Sequence, residues 1–343
     1  MKIALCTPWV TRCGIYSYSR DLANAIAKLG HNVYIVRLIR FGLRDPEYYQ
    51  TLAQNFPKDA DVFVISHEYG LYNGSEHLFY SELKNLFPNK PIVTICHSVG
   101  NWEIDSLITN ASNRVIVHND FCYKRFGYPE KTRIIPHGLS PLQTSPPPRI
   151  ACKQRLGIQP EVPIVGYVGY ISSYKGLETL IEAMVNVPTA ALLIGGGWFV
   201  EKDTPYIMNL KEQALKMLPS RCQWLGYISE DDLSTVYGAM DILCYLSRFS
   251  TESGALLTGL SHRCVTIASS LPPFKEKEKQ GALITFKNTA DLTCKIKQLF
   301  EDDELRTSLS EGARKYAQKN SWYPNIARKH IELYESVLAE ESN

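Results

Sequence analysis

The sequence has little net charge and no long apolar run. Its 37 lysines and arginines against 35 aspartates and glutamates leave a net charge of +2, whereas a dedicated nucleic-acid-binding domain usually carries a concentrated basic face. No apolar run approaches the roughly 20 residues that a membrane-spanning helix needs. We therefore expect a protein that binds no nucleic acid and that is cytoplasmic, or at most peripheral on the inner face of a membrane.

The sequence also lacks the common metal-binding spacings. The nine cysteines include no CxxC pair, and several lie in apolar, strand-like segments, where cysteine packs as a small hydrophobic residue. The His67-Glu68 pair is not part of an HExxH zinc motif. Met1–Cys6 is predicted to be a first strand, too short for the apolar core of a signal peptide. We expect no metal, and cysteines that remain reduced.

The chain length and a proline-rich segment predict two α/β domains. The chain has 343 residues, enough for two domains of roughly 150 residues each. The proline-rich segment Ser145–Pro148 lies within an irregular stretch and marks a boundary. Predicted strands and helices alternate on both sides of it, which indicates parallel sheets. We predict domains at residues 1–145 and 146–320, and a final amphipathic helix over 321–343.

Histidines follow four successive predicted strands of the first domain. They are His67, His97, His118 and His137. A single histidine at a strand end is usually a hydrogen-bonded structural residue. Because the carboxyl ends of parallel strands share one edge of the sheet, the repetition predicts that the four line one crevice.

Three other segments of the first domain are candidates for a functional role. Glu68 and Tyr69 follow His67, a composition that suits a sugar or another polar ligand. Gly14 follows the first strand, where it either relieves a tight turn or lets a ligand approach the backbone. Val36–Arg44 alternates arginines with apolar residues, and it is either a solvated connector or a membrane-facing patch.

The second domain contains a candidate phosphate site within Leu246–Glu276. A helix is predicted to begin near Glu252, capped by Ser250 or Thr251, so that free N–H groups and Gly254 lie at its start. An ordinary capped crossover helix explains the same pattern. Arg248 lies just upstream and would add a positive charge. Lys175 begins another predicted helix, where its charge opposes the dipole unless an anion binds there.

These motifs together resemble one family over nearly the whole chain. The matching segments are Arg12–Ile15, His67–Gly70, His97 after Val93-Thr94, Pro136–Gly138, Tyr174–Gly176, Glu252–Leu256 and the helix that starts at Ser321-Trp322. Each is weak alone, but their order and spacing are similar to those of the retaining glycosyltransferases of family four, the glycosyl transferases group 1, which have the GT-B fold.

The resemblance implies a fold and a reaction. Two Rossmann-like, doubly wound parallel-sheet domains would face a cleft, and the C-terminal helix would cross back to the first domain. A hexose would move, with retention of configuration, from a UDP- or GDP-sugar to a glycan, lipid-linked or small-molecule acceptor. The nucleotide sugar is a substrate, so the resemblance implies no cofactor.

The resemblance also implies roles for individual residues. Lys175 and the N–H groups near Ser253 would neutralise the leaving diphosphate in place of a metal ion, and His97 would orient the donor sugar. The catalytic set is His97, Lys175 and Glu252. The donor-binding set is Gly14, Gly169, Trp224, Tyr227, Arg248, Ser253, Gly254, Ala255 and Thr258. The acceptor or sugar side is His67, Glu68, Tyr69, His118 and His137.

The chain departs from the family pattern at three positions. Thr258 takes the place of the second of two glutamates that the family carries here. Depending on a one-residue gap, Ser250 or Glu252 takes the place of the first. Tyr170 takes the place of an arginine whose charge Arg248 would supply. Two alternatives share the architecture: a sugar-nucleotide epimerase and a non-catalytic glycosyltransferase-like subunit.

Overall fold

The computed structural model describes residues 1–9, 13–39, 45–72, 74–100, 102–143, 145–197 and 204–341. The chain divides into two compact units. The first unit comprises Met1–Gly138 and Asn320–Asn343, and the second comprises Leu139–Lys319. The C-terminal segment is therefore part of the first unit.

The first unit alternates strands and helices. Its elements are β1 Lys2–Pro8, α1 Gly14–Lys28, β2 Asn32–Leu38, α2 Pro46–Gln54, β3 Val62–His67, α3 Tyr69–Tyr72, α4 Glu76–Leu86, β4 Ile92–Cys96, α5 Glu103–Ala111, β5 Arg114–Val117, α6 Asp120–Phe126 and β6 Thr132–Ile134, followed after the second unit by a π-helical turn Trp322–Ile326. Helix α15, Ala327–Glu341, completes the unit.

The strands of the first unit form a parallel sheet of order β2-β1-β3-β4-β5-β6 in the described chain. Every residue of β3 is buried, as expected for an inner strand with both faces covered. Helices α1 and α15 pack together on one face, and the side chains of α2, α4 and α5 contribute to the core of the other. The strand order reverses between β1 and β3, which is where open α/β sheets form a ligand crevice.

The second unit repeats the same alternation. Its elements are α7 Arg149–Arg155, β7 Ile164–Val168, a 3-10 turn Ser173–Lys175, α8 Leu177–Val185, β8 Ala191–Gly195, α9 Thr204–Met217, β9 Cys222–Gly226, α10 Leu233–Ala239, β10 Ile242–Tyr245, α11 Gly254–Ser261, β11 Thr266–Ser269, α12 Pro272–Glu278, β12 Ile284–Phe286, α13 Thr289–Glu301 and α14 Asp303–Lys319.

The second sheet is also parallel, with the order β12-β11-β10-β7-β8-β9 among the described strands. Chain order therefore runs outwards from β7 to β9 on one side and from β10 to β12 on the other. This is the order of a doubly wound dinucleotide-binding sheet, whose switch point lies between its first and fourth strands. Here those strands are β7 and β10, so the loops after them share the ligand-binding edge.

Two local predictions were wrong. Ser229, followed by three acidic residues, predicts a capped helix that starts at this serine, but α10 begins at Leu233. The Ser229 Oγ instead donates to the Asp232 carboxylate at 2.6 Å, which closes a turn before the helix. The predicted irregular stretch between the domains contains the helix α7. None of the helices in the described part of the chain is long and apolar enough to cross a bilayer.

Candidate functional site

Helix α11 begins at the carboxyl edge of the second sheet, after β10. Ser253 is its N-cap, and the Ser253 Oγ accepts a hydrogen bond from the Leu256 backbone N–H at 3.4 Å. Gly254 is exposed, and a Cβ added to it would meet no described atom within 4 Å. The first turn therefore presents backbone N–H groups beside open space at the positive end of the helix dipole, which suits an anion.

The predicted cap of this helix was wrong. The sequence favoured Ser250 or Thr251, but both are buried in the preceding loop. The Ser250 hydroxyl donates to the Glu252 carbonyl at 2.9 Å, so it is engaged within the loop and does not cap the helix. Serine, threonine and serine at 250, 251 and 253 are all good caps by propensity, and the fold of the loop decides among them.

Two buried tyrosines fix the first turn of α11 from below. The hydroxyl of Tyr245 donates to the Ala255 carbonyl at 2.6 Å, and that of Tyr237 approaches the same oxygen at 3.3 Å. Burial raises the pKa of both phenols, so they remain neutral donors. Gly169, with φ +154°, lies just beyond β7, and an added Cβ would be 3.4 Å from the Ala255 Cβ. The loops after β7 and β10 therefore meet at this turn.

Lys175 lies in the 3-10 turn that precedes α8. The next residue, Gly176, has φ +66°, and a Cβ there would be 2.7 Å from the Leu246 carbonyl oxygen, so only glycine fits without strain. This contact holds the turn against the loop that leads into α11. The Lys175 Nζ lies 4.6 Å from the centre of the Tyr174 ring. Within the described ranges, no carboxylate is within ion-pair distance of Lys175.

Arg248 ties the same turn to the loop after β10. Its backbone N–H donates to the Tyr174 carbonyl at 2.8 Å, and its Nη1 donates to the Ser173 carbonyl at 2.9 Å. Its Nη2 pairs with the Glu178 carboxylate. The guanidinium is more than half exposed but already has these partners. Arg248 therefore braces the Lys175 turn, and its charge is shared with Glu178.

Glu252 takes part in a buried ion pair that the sequence analysis missed. Its Oε2 is 2.9 Å from the Nζ of Lys277 on α12, and its Oε1 accepts from the Ser253 backbone N–H at 2.9 Å. The two side chains are only 7% and 2% exposed. Burial lowers the pKa of Lys277, but Glu252, Tyr316 and Glu276 together raise it by more, so the lysine stays charged. Glu252 thus anchors the loop before α11.

The remaining predicted residues of the second unit lie at other positions around the sheet. The Thr258 hydroxyl donates to the Gly254 carbonyl at 2.9 Å, one helical turn back. Trp224 is half-buried on β9, with the Lys211 Nζ 5.6 Å from its ring centre. Tyr227, in the turn after β9, is 54% exposed. Because β8 separates β9 from β7, both aromatic residues lie at the edge of the sheet.

Three of the strand-end histidines of the first unit lie around Tyr18 of α1. The Tyr18 ring centre is 4.6 Å from that of His97 and 5.2 Å from that of His118. It is 4.9 Å from that of His137. The ends of β4, β5 and β6 therefore meet over α1. We call these four rings the histidine cluster.

The histidine cluster holds the imidazole of His97 neutral. Burial, followed by the nearby imidazoles of His118, His137 and His67, lowers the pKa of His97 well below its usual value. The Nδ1 of His118 donates to the Ile135 carbonyl at 3.1 Å. The Nδ1 of His137 donates to the Gly138 carbonyl at 2.7 Å. A neutral imidazole both donates and accepts hydrogen bonds, which suits sugar hydroxyls.

The C-terminal segment completes the histidine cluster, a contribution that sequence analysis did not find. The ring centre of Trp322 is 4.8 Å from that of Tyr18, and a Cβ on Gly138 would be 2.1 Å from the indole. The Nε2 of His330 is 3.4 Å from the Tyr18 hydroxyl, and its Nδ1 is 3.0 Å from that of Tyr334. Burial, followed by the nearby imidazole of His118, lowers the pKa of His330 to about 3.

His67 faces a different partner. Its Nε2 is 3.1 Å from the Oε1 of Glu76, the first residue of α4, and both side chains are buried. Its carbonyl accepts from the His97 backbone N–H at 2.9 Å, so the two strand ends are neighbours. The His67 side chain is therefore paired with Glu76, and its ring contacts those of Tyr69 and Tyr72.

Glu68, Tyr69 and Gly14 lie at the same edge of the first sheet. The Glu68 Oε2 accepts from the Gly70 N–H at 2.9 Å, and the Tyr69 hydroxyl donates to the buried Asp105 at 2.6 Å. Gly14 is the exposed first residue of α1, with open space around the position of a Cβ. Arg12, from the same motif, lies outside the described residues, as do Arg40–Arg44 of the arginine-rich segment.

No group of three or more histidine, cysteine, aspartate or glutamate side chains in the described ranges is arranged to hold a metal ion.

Comparison with known proteins agrees with this geometry. Residues 149–316 match the model of the family described as glycosyl transferases group 1. The sulfoquinovosyl transferase of Arabidopsis thaliana is 26% identical over 186 residues, which are 52% of this chain and 35% of that protein. A D-inositol 3-phosphate glycosyltransferase of Corynebacterium jeikeium is 26% identical over 198 residues, 54% of this chain and 46% of that protein. The chain spans about half, or less, of the length of these relatives.

Solved structures match nearly the whole chain. A glycosyltransferase from Rickettsia africae has a TM-score of 0.81 at 18% identity and covers 98% of both chains. Sucrose-phosphate synthase from Thermosynechococcus elongatus has a TM-score of 0.81 at 19% identity, over 99% of this chain and all of that one. Anabaena HepE in complex with UDP and glucose has a TM-score of 0.77 at 16% identity, over 98% of this chain and 100% of that one. This chain therefore carries an enzyme domain, that of the glycosyl transferases group 1, over residues 149–316 and has the α/β fold of the GT-B glycosyltransferases.

Proposed function

We propose that the protein is a retaining, metal-independent glycosyltransferase of family four. It moves a hexose from a UDP- or GDP-sugar to a glycan, lipid-linked or small-molecule acceptor. The observation that carries the proposal is the meeting of two loops at the switch point of the second sheet. One loop brings Lys175, and the other brings the capped, open N-terminus of α11.

The charges at this edge match a diphosphate leaving group. A departing nucleoside diphosphate gains negative charge as the bond to the sugar breaks, so donors fixed beforehand stabilise the transition state most. Lys175 supplies a full positive charge, and the Ser253–Ala255 turn supplies backbone N–H groups. Glu252 would oppose this field, but Lys277 neutralises it at 2.9 Å. Donor binding in this manner requires no metal ion.

The nucleobase and the sugar have candidate partners as well. Trp224 and the exposed Tyr227 offer aromatic faces near the nucleobase, and Gly169, Arg248 and Thr258 complete the donor side. The neutral imidazole of His97 orients the sugar, while His67, Glu68, Tyr69, His118 and His137 serve the acceptor side. The complex of Anabaena HepE with UDP and glucose supports a UDP-sugar as the donor to try first.

Nucleotide release tests this proposal directly. Purified protein is incubated with UDP-glucose, UDP-galactose, UDP-N-acetylglucosamine and GDP-mannose in the presence of EDTA, and free nucleotide and sugar products are followed. We expect slow nucleotide release with one donor and, with an acceptor, a product of retained anomeric configuration by NMR. Interconversion of the donor sugar would indicate an epimerase instead. Absence of both binding and release would indicate a non-catalytic subunit.

We also propose that the protein docks reversibly on anionic membranes. Arg37 and Ile39 are exposed on and after the edge strand β2, while Leu38 between them is buried. Each basic residue near an anionic surface contributes about 1 kcal/mol. Binding to phosphatidylglycerol vesicles should weaken with salt and with Arg37→Glu combined with Arg40→Glu. Equal binding by the wild type and this variant would overturn the proposal.

A further inference from the structure

Trp102 is an exposed aromatic residue whose position is fixed by buried groups. It is 62% exposed and directly precedes α5, beyond the carboxyl end of β4. Its backbone N–H donates to the Asp105 Oδ2 at 3.0 Å, and the other oxygen of this carboxylate accepts from the Tyr69 hydroxyl at 2.6 Å. Asp105 is only 1% exposed. One buried carboxylate therefore locks both aromatic residues.

The indole ring lies directly over Gly100. A Cβ added to Gly100 would be 1.5 Å from the Trp102 Nε1, so a side chain there would displace the ring. The Gly100 N–H donates to the Tyr69 hydroxyl at 3.0 Å, which holds the backbone beneath the ring. Single exposed aromatic residues are common and need no explanation. An exposed indole that rests on a glycine, with its backbone fixed by a buried carboxylate, offers a flat surface to a ligand.

Two charged groups contact the loop that carries this surface. The Arg125 Nη2 donates to the Gly100 carbonyl at 3.1 Å and retains further N–H donors. The Glu68 Oε1 accepts from the Ser98 hydroxyl at 3.4 Å, on the same loop, and the carboxylate has lone pairs to spare. We call Trp102, Tyr69, Glu68 and Arg125 the Trp102 platform. It lies at the carboxyl ends of β3 and β4, the edge where open α/β sheets bind ligands.

A pyranose ring matches this arrangement better than other small ligands. A sugar has an apolar face of C–H groups, which packs on an aromatic ring, and hydroxyls at its rim that need both acceptors and donors. The platform offers the indole for the first and a carboxylate and a guanidinium for the second. A purely apolar ligand would form no hydrogen bond with Glu68 or Arg125, and the Glu68 carboxylate would repel an anion.

We propose that the Trp102 platform binds a sugar ring of the acceptor, so that the acceptor substrate is a carbohydrate. The assignment of the bound sugar as the acceptor rests on the proposed transferase function, which it deepens. The binding of a sugar to the platform does not depend on that function. The shared chemistry of a free glycan and of a lipid-linked glycan is the pyranose, and the two sources are separated below.

Saturation-transfer NMR with defined sugars tests the platform without catalysis. Methyl α-glucoside, methyl α-galactoside, methyl α-mannoside and maltotriose are titrated against the wild-type protein, and transfer to the sugar C–H protons is measured. We expect saturable binding of at least one. Trp102→Ala should weaken it by about tenfold or more, as truncation of an aromatic anchor does, while Trp102→Phe should retain most of the affinity.

Two further variants test whether sugar binding requires the position of the Trp102 indole or only the presence of an exposed aromatic ring. Gly100→Ala should abolish binding although the tryptophan remains, because the new Cβ displaces the indole. Tyr34→Ala removes another exposed aromatic residue, on β2, and should leave binding unchanged. Melting temperatures identify any variant that fails to fold. No saturable sugar binding by the wild type, or equal binding by Trp102→Ala, would overturn the proposal.

Nucleotide release in the same proteins separates this proposal from the proposed function. Trp102→Ala should show a raised KM for the acceptor, whereas Tyr34→Ala should change neither that KM nor the release of nucleotide without acceptor. Sugar binding at Trp102 with no nucleotide release would refute the transferase and leave the platform. Release with an unchanged acceptor KM would refute the platform alone. A larger effect of Trp102→Ala on a glycolipid than on free maltotriose would assign the lipid-linked source.

Discussion

The buried ion pair between Glu252 and Lys277 makes a prediction whose size follows from the structure. The two charges are 2.9 Å apart and nearly inaccessible to water. Lys277→Met removes the cation but leaves the Glu252 carboxylate buried, where it still accepts the hydrogen bond from the Ser253 N–H. Removing one partner of such a pair typically costs about 3–5 kcal/mol, because the other charge remains without compensation.

This cost converts into a measurable shift in melting temperature. For a unit of roughly 180 residues, each kcal/mol lowers the melting temperature by about 2–4 °C, so Lys277→Met should lower it by about 6–20 °C. Glu252→Gln should cause a smaller loss of stability, because the glutamine amide can still accept the hydrogen bond from the Ser253 N–H. Lys277 is then the one charge of the pair that remains buried. The double variant Glu252→Gln/Lys277→Met has no buried charge and should recover much of the loss.

The same variants also report on the donor site. Because Glu252 lies just before the N-cap Ser253 of α11, an uncompensated carboxylate there opposes binding of a diphosphate. Differential scanning fluorimetry and UDP titration of the four proteins form a double-mutant cycle. We expect Lys277→Met to weaken UDP binding and the double variant to restore it in part. Additive losses in both measurements would refute the inference that the two side chains act as a pair.

Three more predictions concern single residues. Lys175→Ala should lower turnover by about 100-fold or more, as loss of one fixed charge contact at a transition state does, whereas Lys216→Ala on the exposed face of α9 should not; equal turnover in both would place the phosphate elsewhere. His97→Gln should lower kcat with little change in melting temperature, and a parallel loss of both would make His97 a structural residue. His330 has a pKa of about 3 in the folded state, whereas in the unfolded state it takes up a proton below about pH 6.5. It therefore lowers the free energy of unfolding by about 1.4 kcal/mol per pH unit as the pH falls from about 6.5 towards 3. Urea unfolding at several pH values should show a shallower decline in His330→Gln than in the wild type, and equal slopes would contradict this.

The local pattern of the sequence was enough to predict most elements and the edge on which the candidate residues lie. The sequence of Thr204–Met217 predicts a helix, because the spacing of apolar residues indicates which face of a segment is buried, and the structure has the helix α9 over these residues. Parallel strands place all their carboxyl ends at one edge, so the histidines after β4, β5 and β6 were expected to be neighbours before any contact was known.

The partners of those residues were decided by the tertiary structure alone. Apolar periodicity indicates that a side chain is buried, but it does not indicate which residues that side chain contacts. Neither the pair of Lys277 and Glu252 nor the contact of Trp322 with Gly138 could therefore be predicted from it. Tyr18 meets His330 across 312 positions of sequence. The helix cap at Ser253 depended on the fold in the same way, because three nearby hydroxyl residues have similar capping propensity and only the hydrogen bonds of the folded loop distinguish them.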